Sequence, residues 1–319
     1  MTFSPLRWLR KAILRTVPKS SGSDQRVVTT VMQGFRATLE DDRFEVLMSR
    51  LNEVEEDWRG FAYEGVGLGL TVFDYFMPWR KSLQAFVARS NEAYHIPIYI
   101  GAGLAFGRLG GRRIEWFVRR LAHPVLRWMV VDGYGFYRGF FSRQRFLIEQ
   151  TEPKDLTGYA RHVFDQGMGR SIWFANGEDL ELVVAMIASF PEARRADLWA
   201  GASFACAYAG SPMTRKALER MRVAAFPYQA QLAVAGTLAA KRRHSFGHMT
   251  PHTELACQVF CDLPGEMGAR IANKALENIP FAEDASPYRI WRQRIVARFD
   301  DQAICSTNDP FIFSQQKEQ

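Results

Sequence analysis

The chain has 319 residues, of which 47% are hydrophobic and 13% aromatic, and its formal net charge is +7. This composition excludes general disorder, and the length is large for one domain unless that domain is built from repeats. Much of the net charge lies within the first twenty positions, which hold five basic residues and no acidic one: Arg7, Arg10, Lys11, Arg15 and Lys19. The remainder is nearly neutral, which argues against a nucleic-acid-binding protein.

The cysteines and the hydropathy pattern indicate in which cellular compartment the protein is located. Four cysteines without a C-x-x-C pair predict no disulfide framework, and Cys257 and Cys261, one helical turn apart, are expected to be core thiols. No apolar run approaches the length of a membrane span, and no signal peptide opens the chain. We therefore expect a cytoplasmic protein.

Residues 1–26 are expected to form a basic amphipathic N-terminal segment and a linker. Residues 5–17 place Trp8, Leu9 and Ile13 among basic side chains. A helix of this kind can make peripheral contact with an anionic membrane or bind a partner protein. The alternative, a helix that docks on the rest of the chain or stays mobile, is favoured for so short a segment.

Residues 27–300 show a repeat, in which a glycine inside an apolar helical stretch recurs every 32 to 36 positions. These glycines are Gly65, Gly101, Gly133, Gly167, Gly201, Gly236 and, weakly, Gly268. The period predicts an all-α, tetratricopeptide-like α-solenoid of about seven helix pairs in a single domain. Because a helical glycine costs about 1 kcal/mol relative to alanine, we expect close packing of first helices through small residues at i and i+4, such as Gly65 and Gly69. Residues 288–298 are expected to form a capping helix with Trp291, and residues 301–319 a flexible tail.

Three acidic residues beside the repeat glycines, Glu64, Asp132 and Asp165, are the candidate catalytic groups. If the first helices line a concave side, these carboxyl groups point into an aromatic cavity, where desolvation would raise their pKa and suit them to acid/base work. The candidate substrate-binding residues are Tyr63, Tyr134, Tyr137, Arg138, Arg170 and Trp173. The structural alternative, equally well founded, is that each acid caps its helix or pairs with Arg138, Arg161 or Arg170.

Three histidines, His244, His248 and His252, lie within nine residues and are weak candidates for a metal site. Pro251 interrupts the helix that such spacing would need, and Thr250 with Pro251 is typical of a helix start, so a loop between repeats is favoured. The glycines after Tyr94 do not have the G-x-G-x-x-G spacing of a dinucleotide fold. No cofactor is indicated by the sequence.

Six ordered segments carry a resemblance to a known family. They are FAYEGVGLGL, IPIYIGAGLAFGRL, VVDGYGFYRGFF, FDQGMGRSIWF, RRADLWAGASFACAYAG and TPHTELAC, between Phe61 and Cys257. Together they resemble the bacterial domain of unknown function 1702 family, whose members occur in enediyne polyketide gene clusters. The resemblance implies a role in building or handling an enediyne-type polyene, a long, flat and apolar intermediate, but it transfers no catalytic residue.

Three hypotheses about function follow. The first is an enzyme of enediyne-type polyketide (antibiotic) biosynthesis that binds a hydrophobic linear polyene and assists a tailoring or cyclisation step towards the enediyne core. The second is a non-catalytic helical-repeat scaffold that docks a polyketide synthase or other pathway enzymes. The third is a metal-dependent enzyme that uses His244, His248 and His252.

Overall fold

The computed structural model describes residues 23–209, 213–280 and 286–307, with side chains described from 26 and up to 299 in the outer segments. Within these residues every regular element is a helix, so the all-α prediction is confirmed. The basic segment at 5–17 and the residues from 308 onward lie outside the described part. No helix of the described part is both long and apolar enough to cross a membrane.

The helices divide into two compact units, Met1–Ser211 and Pro212–Gln319. The first unit contains α1 (Ser23–Glu40), α2 (Phe44–Asn52), α3 (Glu56–Phe76), α4 (Ser82–Arg89), α5 (His95–Leu109), α6 (Ile114–Arg119), α7 (Met129–Phe141), α8 (Tyr159–Ala175), α9 (Leu180–Ser189) and α10 (Glu192–Ala209). The second unit contains α11 (Arg215–Ala224), α12 (Gln229–Ser245), α13 (Pro251–Cys261), α14 (Gly265–Leu276) and α15 (Pro287–Thr307). Short helical turns occur at Glu92–Tyr94, Leu126–Trp128 and Gln144–Ile148.

The core of the first unit is a row of six long helices in the order α1, α3, α5, α7, α8 and α10, each packed on the next. Glycines near the helix ends show that neighbours are parallel, because Gly69 meets Thr38, Gly107 meets Tyr137 and Gly139 meets Ser171. Parallel neighbours need a return connection, and α2, α4, α6 and α9 provide four of the five. The connection from α7 to α8 contains only the turn at Gln144–Ile148.

Two glycines per helix set the distance within this row. In α3, α5, α7 and α8 a first glycine faces the preceding helix and a second glycine, two residues later, faces the following helix. The pairs are Gly65 and Gly67, Gly101 and Gly103, Gly133 and Gly135, and Gly167 and Gly169. At each of them an added β-carbon would overlap a backbone carbonyl oxygen of the neighbour. The row therefore packs backbone against backbone.

This arrangement extends the predicted role of the repeat glycines. Residues two apart on an α-helix are about 200° apart, so they lie on nearly opposite sides. Residues four apart lie on one side, and accordingly Gly65 and Gly69 both meet α1. Small residues at i and i+4 thus allow close packing against one neighbouring helix. The G-x-G spacing allows close packing against both the preceding and the following helix.

The second unit does not repeat these backbone contacts. At Gly236 and Gly268 an added β-carbon would first meet the Sγ atoms of Cys261 and Cys257, which are side-chain atoms. Both cysteines are buried free thiols, as the sequence predicts. The hydrogen bond with Cys261, together with burial, raises the pKa of the Cys257 thiol. The helix start at Thr250 is also confirmed, since its hydroxyl accepts a hydrogen bond from the Thr253 N–H at 3.2 Å.

The last helix covers α14 as a predicted cap would. Trp291 is buried and its Nε1 donates to the Ala272 carbonyl at 2.9 Å. The helix continues to Thr307, into the stretch predicted as tail. The boundaries 1–26, 27–300 and 301–319 stay predictions.

Candidate functional site

One side of the helix row combines buried acids with half-buried aromatic rings, and we call it the polar-aromatic face. It is formed by the residue before each first glycine and by residues one and two turns further on. The buried layer holds Glu64, Ile100, Asp132, Gln166 and Ala200. The next turn holds Leu68, Leu104, Phe136, Arg170 and Phe204, and the turn after it holds Val72, Arg108, Phe140, Phe174 and Tyr208.

An ion pair lies at the middle of this face. The Nη2 of Arg170 on α8 donates to the Oδ1 of Asp132 on α7. The same guanidinium lies 5.0 Å from the centroid of the Phe136 ring, a cation–π distance. Its buried Nε has no hydrogen-bond partner among the described residues. Arg170 is thereby fixed between a carboxylate and an aromatic ring.

Aromatic rings surround this pair on the solvent side. Phe136 stacks with Phe140 at 5.6 Å between centroids and meets Phe174 edge-on at 6.3 Å. On α10, Phe204 stacks with Tyr208 at 5.5 Å. Four of these rings are only half-buried: Phe136, Phe140, Phe174 and Phe204. An elongated apolar molecule could therefore contact them without rearrangement of the core.

A second polar cluster on this face was not anticipated from the sequence. The carboxylate of Asp197 on α10 contacts His162 Nδ1 at 2.8 Å and accepts from Gln166 Nε2 at 2.8 Å. His162 is 54% exposed, whereas Asp197 is largely buried. A carboxylate that fixes an accessible imidazole is a common acid/base arrangement. The sequence could have predicted this contact from the positions of the two residues relative to the repeat glycines. Asp197 lies four residues before Gly201, and His162 lies five residues before Gly167.

The three predicted catalytic acids do not share one cavity. Glu64 and Asp132 occupy the same register position on the polar-aromatic face and are 7% and 6% exposed. Asp165 lies one residue earlier in its register, about 100° around the helix, and points away from that face. There it receives two hydrogen bonds from Arg194, at 2.8 and 2.5 Å, while Arg194 also donates to the Gln150 carbonyl.

Asp165 is therefore part of a buried structural ion pair, which is the alternative that the sequence left open, although with Arg194 as the partner. Burial raises the pKa of the Asp165 carboxyl, and the hydrogen bonds and charge of Arg194 oppose that rise. The bidentate geometry favours the ionised carboxylate.

The predicted substrate-binding residues are also divided between two sides. Arg170 lies on the polar-aromatic face, and Tyr137 packs against the apolar cluster that includes the face residues Leu68 and Leu104. Tyr63 is buried on the other side, stacked on Tyr94 at 3.9 Å.

Three more of these residues are packed within the first unit. Tyr134 is buried 5.3 Å from the Phe164 ring, and Arg138 lies 5.3 Å from the Tyr134 ring. Trp173 is fully buried, and its Nε1 has no partner among the described residues. Their contacts are those of core residues, and their assignment as substrate-binding residues stays a prediction.

Burial raises the pKa of both Tyr134 and Tyr137. The two phenols are consequently neutral near physiological pH and available as hydrogen-bond donors rather than as bases.

The histidine cluster does not form a metal site. No group of three or more histidine, cysteine, aspartate or glutamate side chains in the described residues could hold a metal ion. His244 lies in the last turn of α12, whereas His252 lies in the first turn of α13, where its Nδ1 accepts from the Met213 N–H at 3.4 Å. The three imidazoles belong to a helix end, a turn and a helix start, so the metal hypothesis has no support.

A cavity of about 740 Å³ lies between the C-terminal ends of α1 and α3. Its walls are apolar at Leu39, Val72 and Phe76 and charged at Asp42 and Arg80, which form an ion pair at 2.5 Å. Val72 and Leu39 also belong to the apolar cluster around Leu68. The cavity thus adjoins one end of the polar-aromatic face.

These features define an all-helical protein whose parallel helices present an aromatic and charged face. The chain belongs to the family described as "Protein of unknown function (DUF1702)", which matches residues 11–299. No curated protein and no solved structure matches it.

Proposed function

We propose that the protein binds an extended, apolar, conjugated chain along the polar-aromatic face and assists its conversion in the biosynthesis of an enediyne-type polyketide. The observation that carries the binding proposal is the series of half-buried rings, Phe136, Phe140, Phe174 and Phe204, on three neighbouring helices. Ligand sites are typically apolar and aromatic with a few placed polar groups, and Arg170 and His162 supply such groups.

The polyene nature of the ligand rests on the family resemblance together with the shape of the face. A linear conjugated chain is flat, so it can lie against successive aromatic rings and gain contact along its whole length. The adjoining cavity beside Val72 offers room for one end of such a chain. The parallel helices with return helices support the tetratricopeptide-like organisation that is part of this proposal. A cytoplasmic location is a further part of the proposal and rests on the sequence alone.

The groups that would assist conversion are Glu64, Asp132 and His162. Glu64 and Asp132 lie in the buried layer beneath the rings. His162 is the solvent-exposed partner in its contact with Asp197. A proton could be exchanged between the imidazole and a bound chain, with Asp197 stabilising the imidazolium. Asp165 is left out of this set because Arg194 holds it away from the face.

A non-catalytic scaffold is the second candidate, favoured by the ion pairs of Asp132 and Asp165. Under this alternative the acids stabilise the helix row and the outer surface docks pathway enzymes. A scaffold does not need the aromatic rings of the polar-aromatic face for its function, so their substitution separates the two candidates.

The test uses a linear conjugated tetraene fatty acid, whose fluorescence rises on transfer from water to an apolar site. We expect saturable binding to the full chain. The double variant Phe136→Ala and Phe204→Ala should bind at least about tenfold more weakly than the wild type, since each lost aromatic contact costs at least about 0.5 kcal/mol beyond its buried area. The matched control is Phe226→Ala, an exposed ring of the second unit. Absence of saturable binding, or equal binding by both variants, contradicts the proposal and favours the scaffold.

A further inference from the structure

Two neighbouring connections of the first unit project aromatic side chains into solvent. Because the row helices are parallel, the C-terminal ends of α3 and α5 lie at the same edge of the row. Trp79, in the connection after α3, is 75% exposed, and Trp116, on α6 after the end of α5, is 53% exposed. Phe76, the last residue of α3, is also exposed. Exposure of large aromatic side chains to water is unfavourable, so a cluster of three exposed rings indicates an interaction surface.

The same connections carry positive charge. Lys81, Arg112 and Arg113 are exposed and take part in none of the described ion pairs. Lys81 and Arg113 have left-handed backbone conformations, with φ of 53° and 66°, at sharp chain reversals. The two connections, 77–94 and 110–128, contain two acids, Glu92 and Glu115, and Arg119 and Thr157 both bind Glu115. The net charge of the two connections is therefore positive at their tips.

The connections are held to one another. Gln84 of α4 donates from Nε2 to the Arg120 carbonyl at 2.9 Å. The Arg120 guanidinium lies 4.6 Å from the centroid of the Trp116 ring. Below them, Tyr75 meets Phe106 edge-on at 6.2 Å, and Phe106 lies 5.0 Å from Phe117. An aromatic layer thus links the end of α3 to α6, and the exposed tryptophans extend from one continuous support.

We propose that Phe76, Trp79, Lys81, Arg112, Arg113 and Trp116 form a surface, here called the interfacial surface, that binds anionic lipid headgroups at a membrane. Tryptophan at the water interface with arginine and lysine beside it is the composition that anchors peripheral proteins to bilayers. The charge is complementary to an anionic leaflet, and each cation near that leaflet strengthens binding about fivefold. The occupant is a lipid surface rather than a protein groove because Trp79 lies in one chain reversal and Trp116 in the first turn of α6, directly after the other. Both exposed rings can enter the headgroup layer without a shaped partner.

The interfacial surface shares no residue with the polar-aromatic face or with the segment 5–17, although Phe76 also lines the cavity that adjoins one end of that face. Its residues lie at the helix ends, whereas the polar-aromatic face lies along the helix sides. The inference stands whether or not the proposed polyene function holds, and a bound membrane would also be a reservoir from which an apolar substrate could enter.

The test is co-sedimentation of the full-length protein with phosphatidylcholine vesicles with and without phosphatidylglycerol. We expect binding to the anionic vesicles, and partitioning about 100-fold weaker for the triple variant Lys81→Gln, Arg112→Gln and Arg113→Gln. The double variant Trp79→Ala and Trp116→Ala should also lose binding, including binding that persists at high salt. All five positions are exposed, and unchanged circular dichroism and melting will establish that the variants fold.

Matched controls use the second unit, where Arg215, Lys216 and Lys274 are exposed cations and Phe226 is an exposed ring. Their substitution to glutamine and alanine, respectively, should leave vesicle binding unchanged. Binding that is unaffected by the variants of the interfacial surface would assign the membrane contact to residues 5–17 and overturn the proposal. Concentration-dependent self-association that the Trp79 and Trp116 variant abolishes, without vesicle binding, would assign the surface to a second copy and overturn it equally.

Discussion

The helix row has no room for a β-carbon at its paired glycines. At Gly167 it would overlap the carbonyl oxygen of Asp132, and at Gly169 that of Leu198. Such contacts bring Cα–H groups against carbonyl oxygens of the neighbouring helix, an attraction of about 0.5–1 kcal/mol each. The glycines are thus required by packing rather than by backbone conformation, since both are helical.

Gly167→Ala is expected to destabilise the protein even though alanine favours helix by about 1 kcal/mol. The obstacle is backbone, which cannot rotate aside, so helices α7 and α8 must separate at a cost of about 3 kcal/mol or more. Urea unfolding followed by circular dichroism measures it. Gly236→Ala is the matched control, because its β-carbon meets the Cys261 Sγ and Phe260 side chain. Equal losses in the two variants would contradict backbone contact as the cause.

Two buried tyrosines predict how stability depends on alkaline pH. Burial raises the pKa of Tyr63 and of Tyr99 to about 12, from the ordinary value near 10. The folded protein therefore keeps these phenols protonated at a pH where the unfolded chain ionises them. Their contribution to stability is complete below about pH 10 and is lost as the pH rises towards about 12.

The variant with both Tyr63→Phe and Tyr99→Phe should show a shallower fall of unfolding free energy between about pH 10 and pH 12 than the wild type. Urea midpoints across that range provide the measurement. Tyr75→Phe, at a partly exposed ring, serves as the control and should keep the wild-type slope. Parallel slopes for all three proteins would show that neither buried phenol resists ionisation.

At the scale of an element, α4 begins without a cap of its own. Its N-cap residue, Lys81, has a left-handed backbone and makes no capping hydrogen bond. Asp74, from the last turns of α3, instead accepts from the N–H groups of Ser82 and Leu83 at 2.7 and 2.9 Å. One carboxylate thus joins the end of a row helix to the start of its return helix and closes the reversal that carries Trp79.

Asp74→Ala should cost about 1–2 kcal/mol, because two part-buried N–H groups at the helix start lose their acceptor. Chemical unfolding gives the free energy, and hydrogen exchange should show faster exchange at Ser82 and Leu83. Glu219→Ala, at an exposed position in the middle of α11, is expected to stay within about 0.5 kcal/mol of the wild type. If the two variants lose the same stability, Asp74 does not act as the cap.

At the scale of the molecule, the polar-aromatic face runs across the row rather than along one helix. Helices in close contact are about 8 Å apart, so the five helices from α3 to α10 span about 32 Å. A ligand that fits this face is therefore long and narrow. The ion pair of Asp132 and Arg170 and the contact of His162 with Asp197 lie between successive helices, so they interrupt an otherwise apolar path at two places.

Affinity for conjugated fatty acids is expected to increase with chain length until the ligand covers the face. Two further buried carbons should tighten binding by up to about 15-fold, from about 0.8 kcal/mol per buried methylene. Competition against the fluorescent tetraene gives the affinities. The Phe136→Ala and Phe204→Ala variant should show a weaker length dependence. An affinity that is independent of length would indicate a local pocket, such as the cavity beside Val72.

Much of the fold could be predicted from local pattern. The recurrence of glycine in apolar stretches predicted the long helices and their serial packing, and the Thr250 and Pro251 pair predicted a helix start. These features depend on neighbours in sequence, through hydrogen bonds four residues apart and capping within one turn. The second glycine of each pair was present in EGVG, IGAG, DGYG and QGMG, and it was the signal for two-sided approach.

Only the tertiary structure decided which side of a helix each polar residue occupies. One position separates Asp165 from Gln166, yet the 100° step between them sends Asp165 to Arg194 and Gln166 to Asp197. The partners lie 29 to 38 residues away, as with Asp132 and Arg170. Sequence by itself determined that helices recur every 32 to 36 residues, because the glycines that mark each helix can be read directly from their spacing. The pairing of their side chains depends on helix phase and register, which backbone contact between α7, α8 and α10 establishes.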